Sequence, residues 1–330
     1  MKKVILCCMV LAALLFASCQ RSGADAQGAR QKVIKAGHTV AKNHPYQMYL
    51  EKWTEAITQA TGDKYRFEIY PSDLYGTPNQ LIEGCQLGTS DMVLATGSLL
   101  ASYSPKVGVL NLPFLYENSM QAYEVLNGPI GHEFNESLAA KNLIVLSWWE
   151  NGMRHLFPPR PVNKPEDLKG MKLRVVNSAE MIDTINAFGA IAVPMGFNEV
   201  YSAWQLKTID GCEGTTTHMV TQKYYELTKT GALLWYMHVP NPLIMAKQLW
   251  DTIPEGDKKI FLDEAKTVGK FSFEYQAEME AQEIAQCEKL GVVFTKPGKT
   301  PFMKLVDPVY EKYRPQYGEM LDKILAVTRK

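Results

Sequence analysis

Short apolar segments with a two-residue repeat alternate with longer segments of helical repeat along most of this chain, and that alternation sets its class of fold. Val33 to Val40, Tyr65 to Tyr70, Asp91 to Ala95 and Leu143 to Trp149 read as strands, with Tyr65, Phe67 and Ile69 on one face. Pro45 to Thr61 carries apolar residues at 46, 49, 50, 53, 57 and 60, a helical stripe that stops before Gly62. Thr77-Pro78 starts another helix, with proline where its missing N–H costs nothing, and Leu81, Ile82 and Cys85 share a face. Met171 to Val176, Ala190 to Val193 and Thr208 to Glu213 continue the strand series, separated by helical Glu180 to Phe188 and Asn198 to Leu206. Alternating β and α units predict an α/β fold with largely parallel sheets. The 330 residues suffice for about two domains with adequate cores.

Asp257 to Leu290 breaks the alternation. It holds no proline and one glycine, Gly269, and its apolar residues recur irregularly at helical spacing. A single helix of that length measures about 50 Å, more than the usual width of one domain, and would run along two. Two helices meeting near Gly269 fit the same pattern, and the pattern alone leaves both open.

The N-terminus reads as an address. Lys2 and Lys3 precede Val4 to Phe16, a continuous apolar run. It is shorter than the roughly 20 residues a membrane-spanning helix needs, and has the length of a secretory signal. Phe16-Ala17-Ser18-Cys19 ends in small residues before a cysteine and resembles a bacterial lipobox. Residues 1–18 are therefore expected to be a lipoprotein signal peptide, and Cys19 the lipidated N-terminus. An ordinary signal cut nearby, with Cys19 incidental, is the alternative. Residues 19–32 are polar and rich in Gly, Ala and Gln, which suits a flexible tether. The remainder is expected to be an extracytoplasmic body in the periplasm, anchored to the membrane through Cys19.

Lys+Arg and Asp+Glu both number 35, for zero formal net charge. No strong field points to nucleic acid or an anionic membrane surface. Beyond Cys7, Cys8 and Cys19, only Cys85, Cys212 and Cys287 remain, far apart and without metal-ligand spacing. They read as single buried thiols, although a disulfide between two of them is compatible with the sequence. The six histidines (38, 44, 132, 155, 218 and 238) show no metal-ligand spacing either. H-E-x-x-H, G-x-S-x-G, S-x-x-K and P-loop patterns are all missing, so neither metal nor cofactor is implied.

Lys169-Gly170-Met171-Lys172-Leu173-Arg174-Val175-Val176-Asn177-Ser178 is the sharpest local signal. In a strand, Met171, Leu173 and Val175 point to one face and Arg174 to the other. Asn177 and Ser178 offer helix caps. A guanidinium at a strand end, next to free backbone N–H groups, is a natural carboxylate site. An arginine in such a place also often forms a surface ion pair.

Trp148-Trp149-Glu150-Asn151-Gly152-Met153-Arg154 is followed by Pro165-Glu166-Asp167-Leu168-Lys169-Gly170-Met171-Lys172-Leu173-Arg174. Pro194-Met195-Gly196-Phe197-Asn198-Glu199-Val200-Tyr201 and Ile209-Asp210-Gly211-Cys212-Glu213-Gly214 come next, and Leu110-Asn111-Leu112-Pro113-Phe114-Leu115 lies upstream. In this order the motifs resemble the solute-binding proteins of tripartite ATP-independent periplasmic (TRAP) transporters, from about Val33 to near the C-terminus. The resemblance implies a two-domain, periplasmic-binding-protein-like α/β fold that closes a cleft between discontinuous domains, with one long helix spanning both. The domains would be 33–152 plus 241–270, and 153–240 plus 271–330. It further implies a non-enzymatic, monomeric protein that grips an organic carboxylate and delivers it to membrane permease subunits. Arg174 would make the two-point salt bridge and Arg154 a second polar contact. Thr39, Thr77, Asn79, Thr96, Trp148, Glu150, Phe197, Gly214 and Thr215 are the further ligand-binding candidates.

One departure stands out. Gly214-Thr215 occupies the place where sugar-acid members carry Asn-Pro, so an amide contact to ligand hydroxyls is missing. Trp148, Trp149, Phe157 and Phe197 crowd the same motifs. If they face the ligand they favour a less hydroxylated, more apolar acid; otherwise they are core. Three other functions fit a secreted lipoprotein: a binding protein for an ATP-driven permease, a macromolecule-binding surface protein, and an enzyme acting on a carboxylated metabolite with Glu150 and Glu199 as acid and base.

Overall fold

A computed structural model of the chain describes residues 31–329, so the signal segment, Cys19 and most of the tether lie outside the described residues. The chain begins with β1 (Lys32–Gly37), α1 (Pro45–Ala60), β2 (Tyr65–Tyr70), α2 (Pro78–Leu87) and β3 (Met92–Leu94). Two 3-10 turns, Gly97–Ser102 and Pro105–Asn111, lead to α3 (Ser119–Leu126), α4 (Pro129–Ala139) and β4 (Leu143–Trp149). Then come β5 (Met153–Phe157), β6 (Lys172–Val175), α5 (Ala179–Ala187), β7 (Ile191–Pro194), α6 (Val200–Gln205), β8 (Gly211–Gly214), α7 (Thr216–Thr221) and β9 (Thr230–His238). The last elements are β10 (Asn241–Ala246), α8 (Lys247–Trp250), α9 (Glu255–Lys289), β11 (Val293–Thr295), α10 (Lys299–Leu305) and α11 (Asp307–Thr328).

The strands form two sheets, one ordered β2-β1-β3-β10-β4 and the other β11-β9-β5-β8-β6-β7. Both are mixed, which corrects the expectation of largely parallel pairing. β1–β2, β1–β3, β6–β7, β6–β8 and β9–β11 are parallel, while β5 and β10 run antiparallel to both neighbours. The reason is topological. A helical crossover within one sheet imposes parallel pairing, but β5 and β10 each enter their sheet directly from the other one, through Glu150–Gly152 and Val239–Pro240.

The long segment is one helix, α9, continuous through Gly269. Its Phe261, Ala265 and Val268 join the core beside the first sheet, Phe273 a middle cluster, and Cys287 the core beside the second. Glycine is needed at 269 for approach rather than for bending. A Cβ there would stand 2.7 Å from Ser147 Oγ and 3.3 Å from the Trp148 carbonyl oxygen on β4. The C-terminal helix α11 also touches both sides: Lys323 pairs with Glu133 of α4 at 2.7 Å, and Lys312 with Asp183 of α5 at 2.6 Å.

Candidate functional site

The two sheets enclose a cavity of about 680 Å³. β5 and β6 each send one arginine into it, and β8 lies between them in the sheet. Leu173 and Val175 of β6 point into the core, so Arg174 between them must point the other way, into the cavity. Arg154 reaches the same space from β5. β8 lies between these strands, and its Glu213 receives both guanidiniums: Arg154 Nε donates to Oε2, and Arg174 Nη1 lies 3.5 Å from Oε1. All three side chains are almost fully buried. Burial opposes a charged Arg154, but the Glu213 carboxylate outweighs it and holds the guanidinium above its ordinary pKa.

Arg174 is braced further. Its Nε and Nη2 donate to the Met195 carbonyl oxygen at 3.2 and 3.0 Å. Its guanidinium carbon lies 5.9 Å from the centre of the Phe197 ring. A guanidinium carries five N–H groups in a planar fork; Met195 occupies the Nε/Nη2 edge and Glu213 lies by Nη1, which leaves further N–H groups at the Nη1/Nη2 end to meet an anion. Arg154 and Arg174 thus share a single carboxylate partner, Glu213; a second carboxylate, Glu199, also lines the cavity, its Oε1 accepting from the Gly196 N–H.

Thr39, Thr77, Asn79 and Thr96 line the opposite wall, and Phe197 lines the near one. The Thr77 hydroxyl is already engaged with Gln80 in capping α2. Four candidates do not line the cavity. Trp148 is core, its indole N–H donating to Asn135 Oδ1 at 2.9 Å. Glu150 turns inward, accepting from the Asn151 and Gly152 backbone and lying 2.8 Å from His238 Nε2. A Cβ on Gly214 would sit 3.2 Å from both His218 Nδ1 and Phe157. Thr215 caps α7, its N–H 3.3 Å from His218 Nδ1. Trp149 and Phe157 are fully buried too, so of the four crowding aromatics only Phe197 faces the cavity. An acid–base pair of Glu150 with Glu199 is not assembled, because Glu199 lines the cavity and Glu150 does not.

Sequence reasoning assigned no role to Glu213, although it quoted the motif that holds it, and it missed Tyr46, Asp73, Asn151 and His218. Tyr46 donates its hydroxyl to Asn151 Oδ1 beside the arginines. The His218 ring lies 5.0 Å from Phe197 and stacks on His44 at 5.5 Å. Burial, followed by the charge of neighbouring His44 and of both arginines, holds His218 well below its ordinary pKa. Burial likewise pushes His44 down to about 3. Both rings are neutral at ordinary pH. The cleft is also bridged by Asn198, whose amide donates to Asp73 Oδ2. Cys85, Cys212 and Cys287 are free, buried thiols.

Two lobes around an enclosed cleft with positive charge gathered at one end make this a bilobed solute-binding protein. Residues 36–316 match the bacterial extracellular solute-binding proteins of family 7 (DctP), and the chain belongs to that family, the solute-binding proteins of TRAP transporters. It is 28% identical over 260 residues to the 2,3-diketo-L-gulonate-binding periplasmic protein YiaO of Escherichia coli, covering 78% of this chain and 79% of that one. It is 25% identical over 312 residues to the C4-dicarboxylate-binding protein DctB of Bacillus subtilis, covering 93% and 89%. A TRAP periplasmic solute-binding protein from a Polaromonas species, solved bound to D-erythronate, superposes with a TM-score of 0.88 at 29% identity, covering 91% of this chain and all (100%) of that one. The family consists of periplasmic binding proteins rather than enzymes.

Proposed function

We propose that this chain captures an organic carboxylate in the periplasm, binds it through Arg174 and Arg154, and hands it intact to the membrane subunits of a TRAP transporter. The observation that carries the reading is the Arg154–Glu213–Arg174 arrangement: two buried guanidiniums share one carboxylate, so a second carboxylate is the missing counter-charge. Once the cleft closes over the ligand such a pairing is strong, because water no longer competes. The relatives support it, since those described above bind a keto acid, a dicarboxylate and an aldonate. The lobes would divide at 33–152 plus 241–270 and 153–240 plus 271–330, closing about the crossings and α9, with α11 touching both. Cys19 would carry the lipid, residues 19–32 the tether, and the protein would work as a monomer.

Calorimetry of Arg174→Ala tests this. Truncating one partner of a buried, hydrogen-bonded charge pair costs about 2–5 kcal/mol, or at least roughly 30-fold in affinity. Arg174→Lys is also expected to bind poorly, because an ammonium loses the planar fork. Wild-type affinity for a carboxylate in Arg174→Ala would refute the clamp.

A further inference from the structure

His218 is the one histidine that lines the cavity. Its ring is held in place. The Thr215 hydroxyl accepts from the His218 backbone N–H, and the Thr215 N–H donates to Nδ1 at 3.3 Å, a reciprocal cap at the start of α7. Gly214 leaves the ring its room, since a Cβ there would stand 3.2 Å from Nδ1. His44 stacks on the ring from the other lobe, and Phe197 lies beside it. Burial, then the charge of His44 and of both arginines, keeps the ring neutral with a single proton. With Nδ1 accepting from the backbone, that proton sits on Nε2. Nε2 has no hydrogen-bond partner among the described residues, and unlike His44 Nε2 it is not closed off from solvent. The open N–H is near the arginine end, because Phe197 neighbours both the His218 ring and the Arg174 guanidinium.

We propose that His218 is a ligand-binding residue, whose Nε2–H donates to an oxygen of the acid held by Arg174 and Arg154. This rests on the carboxylate reading of the arginine end. With Nδ1 already accepting, the ring offers the ligand one donor and no acceptor. It therefore calls for an acceptor, and an ammonium placed there would meet a donor beside two guanidiniums. A ligand that turned a methylene to this point would strip water from Nε2–H and return nothing, at the full cost of the lost hydration. A neutral donor also does what a third guanidinium could not: it fixes the orientation of the ligand without adding charge to a site that already holds two cations.

Two substitutions separate a ligand contact from a structural one. Glutamine carries its amide nitrogen about where Nε2 stands, while phenylalanine keeps a flat ring and has no N–H. Both lose the Nδ1 cap, so a purely structural role predicts equal losses. Calorimetry on the mature chain with D-erythronate, galactonate, D-glucuronate and succinate selects the tightest of the four as the probe. His218→Phe is expected to weaken that acid about tenfold or more, and His218→Gln to stay within about threefold of wild type. In 15N spectra of the histidine-labelled wild type, His218 Nε2 is expected to carry the proton with and without the acid, and its resonance to shift when the acid is added. The inference is overturned if His218→Phe binds as wild type does, if both variants weaken alike, or if the Nε2 resonance ignores the acid. Wild-type affinity in Arg174→Ala with a weakened His218→Phe removes only the clamp. A weakened Arg174→Ala with wild-type affinity in His218→Phe removes only this inference. No binding by any of the four acids overturns both.

Discussion

The Glu150 carboxylate and the His238 imidazole meet 2.8 Å apart, both fully buried, and each lies where the chain passes from one sheet to the other. Glu150 opens the crossing from β4 to β5, and His238 ends β9 just before the return to β10. The pair therefore ties together the two places where the chain crosses between the sheets. His238→Ala takes away the side-chain partner of a buried carboxylate, and such a loss costs about 1–3 kcal/mol. Denaturant unfolding is expected to show that loss, with carboxylate affinity far less affected than by Arg174→Ala. Unchanged stability would mean that the contact contributes nothing net.

Glu213→Gln leaves Arg154 and Arg174 buried without their shared counter-ion. Breaking a buried pair in this way costs about 3–5 kcal/mol. The same variant makes a bound carboxylate the replacement counter-ion. Its ligand-induced rise in melting temperature is therefore expected to exceed that of the wild type, even as its unliganded melting temperature falls. A variant as stable as wild type would show that Glu213 does not balance the arginines.

His44 and His218 set an acid limit. Burial depresses both, His44 to about 3. In the unfolded chain each protonates near its ordinary value of about 6.5. Between roughly pH 6.5 and 3 the unfolded state therefore binds more protons, and stability falls as the pH falls. Each fully neutral histidine contributes about 1.4 kcal/mol per pH unit to that slope. Melting temperatures measured from pH 7.5 to 5 are expected to drop, and a His44→Gln, His218→Gln double variant to drop less steeply. Parallel profiles would contradict this.

Gly269→Ala is expected to destabilise the protein, although alanine is favoured over glycine by about 1 kcal/mol in a helix interior. The new methyl would stand 2.7 Å from Ser147 Oγ, which would have to turn away, with the Trp148 carbonyl oxygen next at 3.3 Å. Adding Ser147→Gly should recover part of the loss, and a double-mutant cycle measures that coupling. A more stable Gly269→Ala would show that the contact is easily relieved.

Much of this was legible before any coordinates. Tyr65–Tyr70 and Leu143–Trp149 form as read, and Leu173 and Val175 of β6 fix where Arg174 points. What failed had physical causes. Strand direction in β5 and β10 depends on which sheet the chain has just left, and side-chain period carries no trace of that. β5 is buried at every position, so alternation gives no clue to which face Arg154 takes. Trp148, Glu150, Gly214 and Thr215 were nominated by closeness in sequence to motif residues, yet neighbouring positions on a strand point to opposite faces. Asp73 and His218 carry no pattern at all. They reach the cavity because a turn and a short helix happen to end there.

The place of β10 bears on how the chain comes to be folded at all. It fills the gap between β3 and β4, but in sequence it follows every strand of the other sheet except β11. A chain emerging from its N-terminus cannot complete the first sheet until residue 246 is out. Until then β3 has a bare edge and β4 has no strand partner at all, and such edges recruit foreign strands. The first lobe is thus finished by a segment made after most of the second, and a chain cut short before residue 241 lacks the strand that joins the two parts of the first sheet.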